Sequence, residues 1–361
     1  MASKRRLDPL LPNSFKHKYS FVNGIIYHYV DEGPELAPTL VLCHGFPDLW
    51  YGWRYQIPFL VDKGYRVIVP DLRGYGETEA PYCPPNDIRE YGAKNVCKDL
   101  IELLNQIKVQ KAIFIGHDWG GHIAWRMAVF HPDRVISVIG QVCIGLWIKK
   151  CVFICCPYTP PQEIFLSPEA IAELVPSLAY HVYFAQPKAE IELDSNVELI
   201  FKAVYRTHKD LIKLYDGKSL LGPIGEALIE DSPLISKQEL NYIISQYKKS
   251  GFHGPLNWYK VRRVNFQDEK GARKHITIPC LMNYFIKIVA MNDPNVIPDL
   301  FKEMPKYFTS LTMKYIEGSG HWVMLERANK VNELLGEFLD KVKVENGKSN
   351  NHDSHDIKAK L

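Results

Sequence analysis

The sequence lacks three features that would assign it to a special class of protein. Its 361 residues carry a formal net charge of only +3, so there is no basic footprint for nucleic acid. Residues 1–15 contain no apolar run of the kind that forms a signal-peptide core. Eight cysteines are present, but no second Cys or His pair with zinc-like spacing lies near Cys151, Cys155 and Cys156. We therefore expect a cytoplasmic chain with reduced thiols, no bound metal and no nucleic-acid partner.

Strand and helix signals alternate at both ends of the chain. Short apolar runs such as "PTLVLCHGF", "YRVIVPDLRG" and "KAIFIGHD" end in Gly, Pro or Asp, while "NVCKDLIELLNQI" and "GHIAWRMAVFHP" have helical spacing. This alternation predicts a mostly parallel sheet covered by helices. The pattern is interrupted by a segment rich in Pro and Tyr. We predict a core in two parts, 15–141 and 275–343, with a helical lid inserted at 142–274 and a disordered polar tail at 344–361.

The segment "FIGHDWGGH" predicts a sharp strand-to-helix turn with Asp118 at its tip. Gly116 and Gly120 complete the Gly-x-x-x-Gly frame that carries a serine in many hydrolases. A helix N-terminus favours an ionised carboxylate, and we expect Asp118 to be exposed there. A carboxylate that attacks a carbon bearing a leaving group forms an ester. The turn therefore predicts a nucleophile for displacement at carbon, and the alternative of a simple helix cap leaves the glycines unexplained.

Two further segments supply the other parts of a hydrolase site. "LCHGFPDLWYGWR" places Phe46 after a predicted strand, and its N–H is expected to form an oxyanion hole with the N–H of Trp119. "IEGSGHWV" places His321 after a Gly-rich turn, where a histidine can act as general base. The acid that orients it is predicted to be Asp293, with Asp299 as the rival. Nucleophile, acid and histidine then follow the chain order expected of such a fold.

Several motifs together resemble the soluble epoxide hydrolases, which have the α/β-hydrolase fold. They are "HGFP" at 44–47, "DLRGYGETEAP", "GHDWGG" and "GSGHW", and the resemblance covers roughly residues 15–340. It implies that Tyr180 in "YHVYFAQP" and Tyr259 in "GPLNWYKVRR" donate protons to the epoxide oxygen. The spacing of the two tyrosines does not by itself show that they converge. The implied reaction turns an epoxide and water into a vicinal diol through an ester on Asp118, without metal or cofactor.

An aromatic pocket is also predicted, although the sequence does not say which epoxide would occupy it. Its predicted lining residues are Trp50, Trp53, Trp119, Phe184 and Trp258.

Two other functions stay open at this stage. Haloalkane dehalogenases use the same aspartate turn, often followed by a tryptophan as here at Trp119. A halide leaves without a proton, however, so the paired tyrosines favour an epoxide. The second alternative is a catalytically silent receptor of the same fold, and the presence of a nucleophile, a base and an acid argues against it.

The sequence departs from the family pattern in two places. "CIGLWIKKCVFIC" at 143–155 stands where related chains are expected to pass almost directly into the Pro-rich start of the lid. "NYFIK" at 283–287 lengthens the strand that leads to Asp293. The first segment is too short, and too interrupted by Lys149 and Lys150, to span a membrane, so we expect no stable membrane insertion. Our preferred explanation for both segments is retained intron sequence, which sequencing of the transcript would test.

The last three residues, Ala359-Lys360-Leu361, resemble a variant of the peroxisomal Ser-Lys-Leu address. They predict recognition by a peroxisomal import receptor and a second location in the peroxisome.

Overall fold

An eight-stranded sheet forms the centre of the molecule. The computed structural model describes residues 5–144, 158–210, 219, 230–286 and 303–357. The strands are β1 (His17–Val22), β2 (Ile25–Glu32), β3 (Thr39–Cys43), β4 (Arg66–Pro70), β5 (Ala112–His117), β6 (Val135–Ile144), β7 (Cys280–Ile286) and β8 (Leu311–Tyr315). Their order across the sheet is β1-β2-β4-β3-β5-β6-β7-β8. The β1–β2 and β2–β4 pairs are antiparallel and the other pairs are parallel, which confirms the predicted mostly parallel sheet.

Helices cover the sheet and form a lid. The core helices are α1 (Gln56–Asp62), α2 (Ala93–Gln106), α3 (Trp119–Phe130), α11 (Val323–Glu326) and α12 (Ala328–Ile357). Between β6 and β7 the described part of the chain has α4 (Pro168–Leu174), α5 (Ala179–Phe184), α6 (Pro187–Ser195), α7 (Val197–Val204), α8 (Lys237–Ser250), α9 (His253–Lys260) and α10 (Arg262–Glu269). Short 3-10 turns lie at Pro12–Ser14, Trp50–Trp53, Ile88–Tyr91, Pro132–Arg134, Pro176–Leu178 and Met304–Tyr307.

Local sequence explains why the central elements form. Every residue of β3, β4 and β5 is buried, which is the expected environment of apolar strands covered by helices on both faces. In the lid, α8 begins at a capping box in which the Ser236 side chain accepts from the Glu239 N–H and the Glu239 carboxylate accepts from the Ser236 N–H. The central parallel strands thus bring their carboxyl ends to one buried sheet edge beneath the lid.

Two buried ion pairs hold the lid on the core. Arg54, next to α1, donates to Glu239 of α8 at 2.8 Å. On α3, Arg126 donates through Nε and Nη2 to the two carboxylate oxygens of Glu269 on α10, at 2.6 and 2.8 Å. Removing one partner of such a pair would leave the other as an uncompensated buried charge. The lid is therefore docked on the core through both α8 and α10.

The ends of three elements bear on the sequence predictions. The helix α12 continues to Ile357, whereas the sequence predicts a disordered tail from residue 344. Among the residues of this helix whose side chains are described, Ala328 to Lys343, the buried apolar residues run as far as Val342. The ends of β6 and β7 pair with each other, Ile144 opposite Ile286, so parts of both added segments lie side by side in the sheet. Residues 145–155 and Lys287 lie outside the described residues.

No helix within the described ranges combines the length and the apolar composition that crossing a bilayer requires.

Candidate active site

Asp118 lies at the tip of a tight turn between β5 and α3. Its backbone has φ 53° and ψ −126°, a conformation that residues other than glycine rarely adopt. A Cβ atom on Gly116 would lie 2.2 Å from the carbonyl oxygen of Gly120, so glycine is required where the strand meets the helix. The Asp118 side chain forms no cap hydrogen bond to α3. The strained turn thus presents the carboxylate away from the helix rather than using it as a cap.

The Asp118 carboxylate is buried, and the expectation that it would be exposed is wrong. Only 7% of the residue is accessible, because the lid covers this edge of the sheet. Its Oδ1 accepts the Phe46 N–H at 2.9 Å, and the Trp119 N–H also hydrogen-bonds to the carboxylate. Burial raises the pKa of Asp118, while His117 and these two N–H donors oppose the increase. The two donors assigned from sequence to an oxyanion hole therefore both point at Asp118.

The two lid tyrosines lie next to each other above this turn. Tyr180 of α5 and Tyr259 of α9 are each 5% exposed, and their ring centroids are 6.2 Å apart. The Tyr259 ring also packs edge-on against Phe46 at 5.3 Å and Trp119 at 5.4 Å. The structure therefore brings together residues that are widely separated in the sequence and whose convergence the sequence could not show.

Tyr259 is held in its protonated form. Burial raises its pKa well above the ordinary value, and the nearby Tyr180, Asp118 and Tyr75 add to the increase. The Trp119 indole, whose ring lies 5.4 Å from that of Tyr259, opposes this increase. A protonated phenol has an O–H group that can donate a hydrogen bond.

His321 is partly buried next to His117, the residue before Asp118. Its ring centroid is 4.7 Å from that of His117, and its carbonyl accepts from His117 Nε2 at 2.9 Å. Burial lowers the pKa of His321 well below its ordinary value, with a smaller contribution from His117. A neutral imidazole is the form that a general base requires.

The predicted acid, Asp293, and its rival, Asp299, lie outside the described residues, as does the tripeptide at 359–361. Among the residues that the structure describes, no three His, Cys, Asp or Glu side chains are grouped so that they could hold a metal ion.

The predicted aromatic pocket separates into different environments. Phe184 lies beside the two lid tyrosines, 4.8 Å from the Tyr259 ring and 5.5 Å from the Tyr180 ring. Trp258 is 6.0 Å from Trp119, but its indole N–H is engaged by the Arg73 carbonyl at 3.0 Å. Phe184 is therefore the predicted pocket residue most directly associated with both tyrosines.

Trp50 lies in another aromatic group. Its indole N–H donates to Tyr242 at 3.0 Å, and its ring packs on Phe15 and His17 at 5.2 and 5.0 Å. These contacts tie Trp50 to the first strand and to α8, and its place in the pocket lining stays a prediction. Trp53 is fully buried in the core. Both tryptophans follow the predicted oxyanion turn closely in sequence, but the 3-10 turn at Trp50–Trp53 carries them into packing positions.

Two histidines next to the site were missed by sequence reasoning. The His181 ring lies 5.0 Å from Tyr259 and 6.3 Å from Trp119, and the His122 ring lies 5.7 Å from Trp119. Burial, with a smaller contribution from the charge of Arg262, lowers the pKa of His181 to about 3. Adjacency to Tyr180 was the available sequence signal, but nothing in the sequence shows which way a lid side chain faces.

Comparison with known proteins agrees with this geometry. A family model described as the alpha/beta hydrolase fold matches residues 38–205. Bifunctional epoxide hydrolase 2 of Rattus norvegicus is 36% identical over 345 residues, or 94% of this chain, but the chain spans only 58% of that relative. Epoxide hydrolase srdG of Neurospora crassa is 30% identical, over 92% of this chain and 98% of its own length.

The crystal structure of Epoxide Hydrolase A from Mycobacterium thermoresistibile superimposes with a TM-score of 0.73 at 31% identity, and it covers 90% of this chain and 98% of its own. The predicted α/β-hydrolase fold is thereby confirmed. With the strained aspartate turn in place, and with relatives that match nearly end to end, this chain belongs to the epoxide hydrolases of the α/β-hydrolase fold.

Proposed function

We propose that the chain hydrolyses an epoxide to a vicinal diol through a covalent ester on Asp118. The observation that carries the proposal is the buried Asp118 carboxylate, bound by the Phe46 N–H at 2.9 Å, with Tyr180 and Tyr259 paired nearby. A nucleophile on one side and two O–H donors on the other are what opening of a strained ring requires. The substrate and water are the only reactants, and no cofactor enters the scheme.

In the first step an Asp118 oxygen attacks one epoxide carbon. The carbon–oxygen bond of the ring breaks, and its electron pair moves to the ring oxygen, which takes a proton from Tyr180 or Tyr259. The product is a hydroxyalkyl ester of Asp118 and a tyrosinate. The neighbouring Trp119 indole, which opposes the rise in the pKa of Tyr259, stabilises the negative charge that develops there.

In the second step His321 removes a proton from water, and the resulting hydroxide attacks the ester carbonyl. The tetrahedral oxyanion is held by the Phe46 and Trp119 N–H groups, which already contact this carboxylate. Collapse breaks the ester carbon–oxygen bond, and the leaving alkoxide takes the proton from His321 to give the diol. The proton that came with the hydroxide passes from the Asp118 carboxyl to the tyrosinate, which restores all three groups. We retain Asp293 as the partner that orients His321, with Asp299 as the alternative.

The tyrosine pair also bears on the dehalogenase alternative. A halide leaves without a proton, whereas an epoxide oxygen needs an O–H donor, so the pairing of Tyr180 with Tyr259 favours an epoxide. Halide release from a chloroalkane without diol formation from any epoxide would support a dehalogenase instead. Thermal stabilisation by an epoxide without turnover of either substrate would support a ligand receptor.

The test is a single turnover in ¹⁸O-labelled water with a panel of aryl and alkyl epoxides. Because water attacks the ester carbonyl, the label should enter the Asp118 carboxylate, and the diol of the first turnover should be unlabelled. The Asp118→Ala variant should form no diol, while Asp340→Asn, which changes a surface aspartate, should retain activity. Label appearing directly in the first diol would exclude the covalent route.

The location of the chain is a separate proposal. The supporting observation is the tripeptide Ala359-Lys360-Leu361, and cytoplasmic synthesis followed by import into peroxisomes is the expected route. Deleting residues 359–361 should leave a tagged chain in the cytoplasm. An unchanged distribution would refute import through this signal.

A further inference from the structure

A short lid segment contacts the loop that carries the general base. We call Gly320–Trp322 the base loop and Val204–His208, at the end of α7, the lid clasp. The base loop contains His321, and α11 begins immediately after it. Several contacts join these two segments, although they are more than a hundred residues apart in sequence. The position of the base is thus linked directly to the lid.

The first contact is made through Glu326 at the end of α11. Its Oε2 accepts the Gly320 N–H at 2.6 Å. Its Oε1 accepts the backbone N–H of His208 at 3.2 Å and also the His208 Nδ1–H. The side chains of His208 and Glu326 are only 12% and 7% exposed, so water competes little for these bonds. One carboxylate therefore bridges the lid clasp and the residue before the base.

The second contact is made through Trp322, the residue after the base. The Tyr205 ring stacks on the Trp322 ring with centroids 4.1 Å apart and an interplanar angle of 24°. The Trp322 indole N–H donates to the Val204 carbonyl at 2.8 Å. The lid clasp therefore contacts the base loop on both sides of His321.

We propose that the lid clasp positions the general base, with His208 and Glu326 acting as positioning residues for His321. The core also contributes, because His117 Nε2 donates to the His321 carbonyl. That bond fixes the peptide on one side, and Glu326 fixes the preceding N–H on the other. An imidazole displaced by about 1 Å from the water that it must deprotonate loses about a hundredfold in rate.

This role predicts an effect on one chemical step, and it rests on the proposed two-step function. Formation of the Asp118 ester needs the nucleophile and the tyrosines, but not His321. Hydrolysis of the ester needs His321. Weakening the clasp should therefore slow ester hydrolysis by about tenfold to a hundredfold and leave ester formation within about twofold. The ester should accumulate, and kcat should fall while kcat/KM is retained.

The experiment compares Glu326→Gln and His208→Ala with wild type by rapid quench and intact-mass spectrometry, using an aryl epoxide that the wild-type chain converts. His208→Gln tests rescue, because an amide N–H can replace the imidazole donor toward Glu326. Lys209→Ala is the matched control, since Lys209 is the exposed neighbour of His208. We expect the ester-bound mass to build up in the first two variants and to stay low in the other two.

Equal slowing of both steps, or no slowing of either, would overturn the inference. A general loss of structure would lower both rates and the thermal midpoint together, which separates it from a positioning effect. If neither wild type nor His321→Gln ever carries the ester mass, the proposed function has failed rather than the role of the clasp. If the His321→Gln ester accumulates but those of Glu326→Gln and His208→Ala do not, the proposed function stands and the clasp inference is wrong.

Discussion

Replacing His181 should change how the stability of the protein depends on pH. Burial among Tyr180, Tyr259 and Trp119 lowers the pKa of His181 to about 3, against about 6.5 for an unfolded histidine. Between these values the unfolded chain binds a proton at this residue and the native chain does not, so the free energy of unfolding falls as the pH falls. Between about pH 6.5 and about pH 3, this one group lowers the free energy of unfolding by about 1.4 kcal/mol for each pH unit.

The corresponding variant is His181→Gln, which keeps a polar side chain but does not titrate. Between about pH 7.5 and about pH 5, the free energy of unfolding of wild type should fall by about 2 kcal/mol because of His181. The variant should not show this part of the decrease. Water reaches part of the His181 ring, so a measured difference of about 1 to 2 kcal/mol is expected. Asp48, whose pKa burial raises to about 6, titrates in both proteins and cancels in the comparison.

The assay is urea unfolding of both proteins at each pH, with His275→Gln as the control. His275 is exposed, so folding has little to desolvate there. Parallel pH profiles for wild type and His181→Gln would show that the native imidazole takes up its proton as readily as the unfolded one. That result would refute the argument that the lid keeps this residue neutral.

Three other changes have defined expected outcomes. In Gly45→Ala the new Cβ would lie 2.2 Å from the Asp118 Cβ. Diol formation should therefore fall at least a hundredfold, while the circular dichroism spectrum stays native. Normal turnover would contradict the tight fit between these two residues. Glu269→Ala leaves Arg126 as an unpaired buried charge, so the free energy of unfolding measured in urea should fall by about 3 to 5 kcal/mol. The surface change Glu303→Ala should not reproduce this loss. Burial lowers the pKa of His321 well below the ordinary value of about 6.5. The rate of ester hydrolysis in stopped-flow measurements should therefore stay constant as the pH falls through about 6.5. A decline in rate centred near about pH 6.5 would count against desolvation of the base.

Local signals were sufficient for much of the site. The alternation of apolar strands with helices, and the Gly-x-x-x-Gly frame around Asp118, depend on residues close together in the chain. The observed sheet order agrees with the first of these signals, and the strained φ of 53° at Asp118 agrees with the second. Phe46 and Trp119 were found the same way, since each donor is a backbone N–H whose direction follows from a turn.

Other properties were beyond reach because they depend on long-range packing. The burial of Asp118 arises from a lid that begins after β6, and the Trp50 indole N–H finds its acceptor on Tyr242 in the lid. The protonation of His181 is likewise set by neighbours from three separate segments. No periodicity within one segment encodes such contacts.

The sequence by itself therefore determined the class of fold and the position of Asp118 at the strand-to-helix turn, since these follow from local pattern and backbone chemistry. Tertiary structure alone decided which tyrosines meet and which histidines have a lowered pKa. Desolvation and hydrogen bonding act through space, so pKa values and the placement of His321 become defined only when distant segments such as His208 and Glu326 are packed together.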